Sequence, residues 1–372
     1  MQVDRGLRVQ HSRSAELKRS NPALALFGGE PVTSTATLVT WPVIDVESTL
    51  GEIGAVLQSG VLGSSEGVTG SAMARFETAF SAYVRGDDEE VRRLCNGGLP
   101  NVADLSQRGD PTPFTALMTT SGTSALQLAL AAAGVQPGDR VIVPALSWIA
   151  TAMAVVLRSA TPVFVDVDST TGSVSPEALA GAVRAANQRQ DARRIKAAIV
   201  VHLHGTPCDL EPMYRLAALH GFALIEDAAQ AHGALYNGER IGGISSATRS
   251  HVPMLVAFSL QQSKNLPAGE GGLFLTDCPL AAARARAARS FGLTLLDAAP
   301  IGAWPSVQSS PVQSSDAIGT PDAVATLDAV ALQAAAAEPV PVDVGGMHRG
   351  SELAAAVGLR QLLLLEESVT LP

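Results

Sequence analysis

The sequence predicts an α/β protein in which helices cover both faces of a largely parallel sheet. From Ala116 onward, short apolar runs of strand length alternate with longer Ala/Leu-rich segments of helical spacing. Such a βαβ series builds a parallel sheet, because crossover helices join successive parallel strands. Hydrophobic residues make up 47% of the 372 residues and charged residues 16%, so the chain can form a sizeable core.

The first third of the chain divides by composition. Residues 1–20 are predicted to be a disordered arm, and the turn-rich stretch from residue 21 to Pro42 an irregular start of the large domain. Apolar residues recur at helical spacing from Ser48 to Ser59 and from Ser71 to Val84, and Ser48 and Ser71 are candidate N-caps. Residues 86–113 are polar, charged and rich in Gly and Pro, which predicts an exposed insertion.

The βαβ series supplies the remaining elements. Strands are predicted at 141–143, 162–167, 197–203, 223–226, 255–258 and 272–276. Helices are predicted at 121–134, 148–157, 175–187, 210–220, 280–290 and 350–367. Residues 297–344 are biased toward Ala, Pro, Ser, Val and Asp, which predicts a low-complexity insertion or linker. The expected organisation is a large domain over 21–296, this linker, and the start of a C-terminal region over 345–372.

Composition and cysteine usage narrow the class of protein. A net charge of −9 argues against a nucleic-acid or anionic-membrane surface and favours a small-molecule enzyme. Cys95, Cys208 and Cys278 have no metal-ligand spacing and no even pairing, so we expect a reduced cytoplasmic protein without a metal site. The basic N-terminus lacks the apolar core of a secretory signal. The apolar stretch 141–157 is shorter than a spanning helix of about 20 residues, and predicts a strand followed by a helix.

Three segments follow predicted strands and should converge at the carboxyl edge of the sheet, where ligands bind in open α/β folds. Ser121 to Ser124 open a helix whose N–H groups and hydroxyls can hold a phosphate, although such a start is more often an ordinary N-cap. Asp227 ends a buried strand, and its carboxylate needs a cation, such as a protonated pyridine nitrogen, unless it caps a following helix.

Lys264 is the third and most informative of these features. It lies between an apolar run and the Gly269–Gly272 turn, where desolvation would lower its pKa and free the amine to form a Schiff base. Taken alone it is more often a surface lysine. Ser259 is a further candidate phosphate contact, and His232 is more consistent with a structural than a catalytic histidine. The order of the three features favours a pyridoxal-phosphate (PLP) site over the separate alternatives.

The sequence resembles the DegT/DnrJ/EryC1/StrS family of PLP-dependent sugar and cyclitol aminotransferases from about Leu26 to Asp277 and again from Gly345 to Glu366. The resemblance is carried by the strings Gly122-Thr123-Ser124-Ala125-Leu126, Pro137-Gly138-Asp139, Pro162-Val163-Phe164-Val165-Asp166, His204-Gly205, Glu226-Asp227-Ala228-Ala229-Gln230-Ala231-His232-Gly233-Ala234 and Gly269-Glu270-Gly271-Gly272. It implies a fold-type-I, aspartate-aminotransferase-like large domain with a truncated small C-terminal domain. It also implies a homodimer.

The resemblance assigns roles to individual residues. Lys264 would carry PLP and move the substrate proton, and Asp227 would pair with the pyridine nitrogen. Gln230 would contact the ring edge near O3′, and Trp148 would stack on the ring unless it is a core tryptophan. Thr123, Ser124 and Ser259 would bind the phosphate, and Gly122 would be a further cofactor-binding residue at the same helix start. The implied reaction moves an amino group from L-glutamine or L-glutamate to a keto-sugar or keto-cyclitol.

The sequence also departs from the family pattern. Arg349 matches the returning segment, but Met347 stands where the family has an Asn that reaches the phosphate of a neighbouring subunit. Two alternatives therefore stay open, an aminohydroxybenzoate-synthase-like PLP enzyme and a truncated, non-catalytic PLP-binding or regulatory paralogue. Sugar dehydratases and deoxygenating enzymes of the family are disfavoured, because they carry His where this chain has Lys264.

Overall fold

The computed structural model describes residues 41–63, 70–99, 114–188, 195–291 and 347–370. The chain divides into two units, 1–43 and 44–372, and the fold below is that of the second. The predicted arm at 1–20, the linker at 297–344 and residues 100–113 of the predicted insertion lie outside the described residues.

A seven-stranded sheet forms the centre of the second unit, in the order β1-β9-β8-β5-β4-β2-β3. Its strands are β1 (Thr115–Thr119), β2 (Arg140–Pro144), β3 (Thr161–Val165), β4 (Ile195–Val201), β5 (Ala223–Asp227), β8 (Val256–Ser259) and β9 (Gly272–Thr276). The strands from β8 through β5, β4 and β2 to β3 pair in parallel, whereas β9 is antiparallel to both neighbours. A short antiparallel pair, β6 (Leu235–Tyr236) and β7 (Glu239–Arg240), stands apart from it. The largely parallel sheet is confirmed.

With the exception of the helix at Asp88–Cys95, the helices in the described part of the chain overlap those that apolar periodicity predicts. They are α1 (Val46–Ser59), α2 (Ala72–Val84), α3 (Asp88–Cys95), α4 (Gly122–Ala132), α5 (Ala150–Leu157), α6 (Pro176–Asn187), α7 (Leu210–His220), α8 (Pro279–Arg289) and α9 (Glu352–Thr370). Ser71 caps α2 as predicted, because its hydroxyl accepts from the N–H of Ala74. The prediction that Ser48 caps α1 is wrong, since the Asp45 carboxylate accepts from the Ser48 N–H and the helix begins at Val46.

Apolar residues on the two faces of the sheet form two core layers, which the alternation of β5 illustrates. Ala223 and Ile225 pack in one layer with buried residues of α4, α5 and α8. Leu224 packs in the other, with buried residues of α2, α6, α7 and α9. Because successive strand residues point to opposite faces, Asp227 belongs to the side of α4 and α5, and Glu226 to the side of α7.

The expectation that 86–113 is exposed is wrong for its first part. Residues 88–95 form α3, and Val91, Leu94 and Cys95 on one face of that helix are buried. These three residues have i, i+3 and i+4 spacing, which packs one side of the helix on the core while its acidic and basic residues face solvent. The prediction rested on the polar composition of the whole stretch and overlooked this apolar face of residues 88–95.

The apolar stretch 141–157 is divided between a strand and a helix, as predicted, with β2 ending at Pro144 and α5 beginning at Ala150. Within the part of the chain that the structure describes, no helix is long and apolar enough to cross a membrane.

Candidate active site

Three chain segments meet at one edge of the sheet because β1, β5 and β8 run in the same direction. The helix start after β1 lies directly against the end of β8. A Cβ built on Gly122 would lie 2.8 Å from the Cβ of Ser259, closer than side-chain atoms approach. Glycine is therefore needed at this position, and its absence of a side chain brings Ser259 beside the N-terminus of α4.

The glycine-rich turn after Lys264 makes a second close approach. A Cβ on Gly272 would lie 2.4 Å from the backbone oxygen of Ser121 and 2.8 Å from the backbone nitrogen of Gly122. The sequence predicts that this turn lets the backbone pass close to a cofactor. In the structure, Gly272 lets β9 pass close to the helix start, which shapes the same edge indirectly.

The hydroxyls of the helix start face different surroundings. Ser124 is 6% exposed, and its Oγ lies 2.8 Å from Thr120 Oγ1 and 3.1 Å from Ser121 Oγ. The Ser121 hydroxyl accepts from the N–H of Ser124 and caps α4. Ser124 thus supports the turn from within, while Thr123 is half-buried at its surface. The phosphate-binding roles of Gly122, Thr123, Ser124 and Ser259 stay predictions.

Asp227 is buried at the end of β5, with 5% of its surface exposed. Its Oδ2 accepts from the Thr151 hydroxyl at 2.8 Å, and its Oδ1 from the Ala229 N–H at 3.3 Å. Burial raises the pKa of Asp227, against the opposing effect of these hydrogen bonds and of the charge of Lys264. The alternative that Asp227 caps a helix is wrong, because turns follow it over 228–234.

A buried carboxylate with hydroxyl and amide donors but no bound cation is incompletely compensated. Among the described residues, Asp227 forms no ion pair. A protonated pyridine nitrogen at this position would supply the missing positive charge, so the environment of Asp227 fits a PLP ring.

Lys264 lies on the wall of a cavity of about 440 Å³ at this edge. The described residues that line it are His204, Gly205, Gln230, His232, Ala234, Ser263, Lys264 and Asn265. Lys264 is half-buried, and its charge lowers the pKa of both Asp227 and His232, so it lies within electrostatic range of each. These surroundings differ from those of an ordinary solvated surface lysine.

Gln230 is oriented by the backbone of a neighbouring turn. Its Oε1 accepts from the N–H of His204 at 2.8 Å. Gly205 makes this contact possible, since a Cβ there would lie 2.9 Å from the backbone oxygen of Gln230. With the oxygen occupied, the amide –NH₂ of Gln230 remains as a donor, which is the group that an anionic ring oxygen requires.

His232 is enclosed beneath the Lys264 loop. It is 1% exposed, and its ring centroid lies 5.1 Å from that of Phe258. Neither ring nitrogen has a hydrogen-bond partner among the described residues. Burial and the charge of Lys264 lower the pKa of His232 to about 3. A neutral imidazole at working pH agrees with a structural histidine.

Trp148 lies in the connection between β2 and α5, at the same edge as Asp227. It is 77% exposed, so the alternative of a core tryptophan is wrong. Stacking on a cofactor ring stays a prediction.

The returning segment 347–351 runs beside the end of β1. The His348 carbonyl accepts from the Thr120 N–H at 3.0 Å. The backbones of Arg349 and Thr119 form an isolated antiparallel β-bridge. Met347 is 50% exposed, and its sulfur lies 3.3 Å from the Nε of Arg349. Within one chain the segment therefore runs beside the residues that precede the helix start at Gly122, and its contact with the phosphate of a neighbouring subunit stays a prediction.

Sequence reasoning missed two residues of this edge. Thr151 donates to Asp227 across 76 positions of sequence, and no spacing signal connects the two. His204 lines the cavity in a left-handed backbone conformation (φ 55°). The string His204-Gly205 supports the family resemblance, but it assigns His204 no role. A threonine in the first turn of an otherwise apolar helix was the one available hint for Thr151.

The model of the DegT/DnrJ/EryC1/StrS aminotransferase family matches residues 114–370. A curated relative, the L-glutamine:2-deoxy-scyllo-inosose aminotransferase of Streptomyces fradiae, is 38% identical over 239 residues, which are 64% of this chain and 50% of the relative. The chain spans about half the length of that relative.

Two solved structures share the fold. A 3-amino-5-hydroxybenzoic acid synthase matches with a TM-score of 0.60 and 26% identity, over 88% of this chain and 64% of that one. DesV of S. venezuelae, solved with a ketimine intermediate, matches with a TM-score of 0.58 and 28% identity, over 86% of this chain and 62% of that one.

Proposed function

The chain belongs to the DegT/DnrJ/EryC1/StrS aminotransferase family, and we propose that it moves an amino group from L-glutamine or L-glutamate to a keto-cyclitol or keto-sugar. One observation carries this proposal. Asp227 is buried without an ion-pair partner among the described residues, and Lys264, whose charge lowers the pKa of Asp227, lies on the wall of a cavity at the same sheet edge. The likeness to a glutamine-dependent inosose aminotransferase supports the choice of donor and acceptor.

PLP is the cofactor that we propose for this site. When bound, PLP acts as an electron sink that allows the proton on the amino-bearing carbon to leave. Lys264 would hold it through the side-chain amine, and Asp227 would hold its ring nitrogen. Ser259, Gly122 and Thr123 would hold the phosphate, where the N-terminus of α4 adds the favourable end of the helix dipole.

The protein groups divide the remaining work. The Lys264 amine would be the base that carries the proton. The Thr151 hydroxyl and the Ala229 N–H fix the orientation of the Asp227 carboxylate. The –NH₂ of Gln230 would donate to a ring oxygen. Trp148 would cover the ring face on the solvent side.

The lining of the cavity favours an uncharged, hydroxyl-rich acceptor. Besides Lys264, the polar side chains on the described part of the wall are the neutral amides of Gln230 and Asn265, the Ser263 hydroxyl and two histidines. No carboxylate and no arginine is among these described lining residues. Neutral donors and acceptors suit the hydroxyls of a cyclitol ketone better than the phosphates of a nucleotide-linked sugar, which call for cations.

We also propose that the protein is a cytoplasmic homodimer. An apolar surface surrounds α5 beside the candidate site, and large side chains on it are exposed, including Leu146, Trp148, Ile149, Val156 and Leu157. Several large exposed apolar side chains on and next to one helix are typical of an interaction surface.

The test is a donor and acceptor screen with the purified chain and added PLP. We expect an aminated cyclitol by mass spectrometry when L-glutamine is paired with a keto-cyclitol, and no product from a Lys264→Ala protein. A protein that binds PLP but aminates none of the keto-cyclitols, keto-sugars or aminohydroxybenzoate precursors would contradict the proposal.

A further inference from the structure

We propose that the imidazole of His204 recognises hydroxyl groups of the acceptor and so helps determine which ketone is aminated. The inference rests on the proposed function and names a specificity residue within it. His204 follows β4 in the short turn Leu203–Gly205 and lines the cavity that contains Lys264.

The backbone of His204 holds an uncommon conformation. Its φ of 55° lies in the left-handed region, which non-glycine residues seldom adopt. Backbone strain of this kind clusters at functional sites, because the surrounding structure must hold it in place. Here the holding contact is the hydrogen bond from the His204 N–H to Oε1 of Gln230.

His204 is exposed and lines the cavity, while its backbone N–H is held on Gln230 and Gly205 packs on the Gln230 backbone. Among the described residues, no hydrogen-bond partner meets the imidazole. Both ring nitrogens are therefore available to a ligand.

The position suits the acceptor rather than the cofactor. The carbonyl carbon of the acceptor would have to approach the amino group of the aminated cofactor beside Lys264, so the wall around Lys264 would face the rest of the acceptor ring. An imidazole offers one donor and one acceptor, as does each hydroxyl of a cyclitol. One such neutral hydrogen bond is worth about 1 kcal/mol, or roughly fivefold to tenfold in affinity.

Substitution by glycine separates the imidazole from the backbone, because glycine adopts positive φ without strain. We expect His204→Gly to raise the KM for the keto-cyclitol about fivefold to tenfold. The rate of the half-reaction with L-glutamine and the affinity for PLP should stay within twofold. His204→Asn, which also tolerates positive φ and retains polar atoms, should recover part of the loss.

His251 provides the matched control. It is exposed, has a φ of 59° and does not line the cavity, so His251→Gly makes the same chemical change in the same backbone conformation. We expect its KM for the keto-cyclitol to equal that of the unsubstituted protein. In NMR spectra of the PLP-loaded chain, myo-inositol should shift the imidazole signals of His204 and leave those of His251 in place.

The inference is overturned if His204→Gly leaves the KM for the keto-cyclitol unchanged, or slows both half-reactions equally. The second result would assign His204 to the support of Gln230 alone. Failure of the proposed function looks different, because the unsubstituted protein would then aminate no cyclitol ketone, and the inference would fall with it.

Discussion

Glu226 and Asp227 are neighbouring buried carboxylates on β5, and their surroundings are opposite. Glu226 is fully buried, and its oxygens are met by the Nε2 of His202 at 3.0 Å and by the hydroxyl of Tyr214. Each oxygen of Glu226 has a side-chain donor from the protein, which fits a structural role. Asp227 has one side-chain donor, one longer amide contact and a pKa raised by burial, which fits a carboxylate that a ligand completes.

The environment of Glu226 is closed on every side. The Cys208 N–H donates to Nδ1 of His202 at 3.1 Å, which leaves the ring proton on Nε2 to face Glu226. The His202 N–H in turn donates to the backbone oxygen of Asp227 at 3.1 Å. The network thus ties β4, α7 and β5 together behind the candidate site, and we interpret it as structural.

The largest effect should come from Lys264 on the Asp227 side. Lys264→Ala removes the group that would carry PLP and move the proton, so we expect turnover to fall by about 10²–10⁴-fold or more. The midpoint of urea unfolding without PLP should barely change, because Lys264 lies on a cavity wall. The chain has three lysines, Lys18, Lys196 and Lys264, so borohydride trapping of PLP has few possible sites.

Lys196→Ala is the control, since Lys196 is also half-buried but lies on β4 outside the cavity lining. It should retain both turnover and the trapped adduct. An adduct that persists in Lys264→Ala and disappears in Lys196→Ala would assign the Schiff base to Lys196. That result would contradict the proposal that Asp227 is the carboxylate that faces the cofactor.

The next effect belongs to the other side of the strand. Glu226→Ala leaves the buried ring nitrogen of His202 and the Tyr214 hydroxyl without their acceptor, so we expect a loss of about 3 kcal/mol in the free energy of unfolding. PLP affinity of the folded protein should change by no more than about threefold, since Glu226 faces α7. Urea unfolding and PLP titration on one preparation measure both.

Glu226→Gln should lose less, because its remaining oxygen still accepts one of the two hydrogen bonds. If Glu226→Ala instead weakens PLP binding strongly while the protein stays equally stable, the division between a structural and a ligand-facing carboxylate is wrong.

Much of this contrast was accessible from the sequence, and part of it was not. Periodicity located the strands of the central sheet other than β1, and it missed the short pair β6 and β7. The order of Gly122, Asp227 and Lys264 along a βαβ series predicted that they share one sheet edge. The environments that distinguish Glu226 from Asp227 come from α7 and α5, through side chains 12 and 76 positions away. Such contacts depend on how helices pack, which local pattern does not encode.

A third, smaller effect concerns the contact between the helix start and Ser259. Gly122→Ala places a Cβ 2.8 Å from the Cβ of Ser259, so the two must move apart. We expect PLP affinity to fall about tenfold, the equivalent of about 1.4 kcal/mol, through distortion of the phosphate site. Equilibrium dialysis of PLP measures this loss.

Gly181→Ala is the matched substitution away from the edge. Gly181 lies inside α6, and a Cβ added there would meet no atom of a neighbouring element within 4 Å, so alanine should raise stability by about 0.5–1 kcal/mol. PLP affinity should not change. Equal PLP affinity in Gly122→Ala and the unsubstituted protein would exclude the helix start as a phosphate site.

The smallest expected effect carries an informative sign. Because the pKa of Asp227 is raised in the folded chain, the folded state holds a proton that the unfolded state has released as pH rises above the ordinary Asp range. Stability without PLP therefore falls as pH rises through that window and stays lower at neutral pH. Asp227→Asn removes this loss, so the PLP-free variant should be more stable than the unsubstituted protein at pH 7, and should gain nothing below about pH 4.

Asp168→Asn should show the opposite sign. The N–H groups of Thr171 and Thr170 lower the pKa of Asp168, so its carboxylate adds stability above the ordinary Asp pKa that is lost on acidification. Saturating PLP should reverse the order for Asp227, because ligand that binds the folded state stabilises the unsubstituted protein more. Thermal melts at pH 4 and pH 7, with and without PLP, measure these differences. A PLP-free Asp227→Asn protein that melts lower at pH 7 would mean that the carboxylate is already compensated, like that of Glu226.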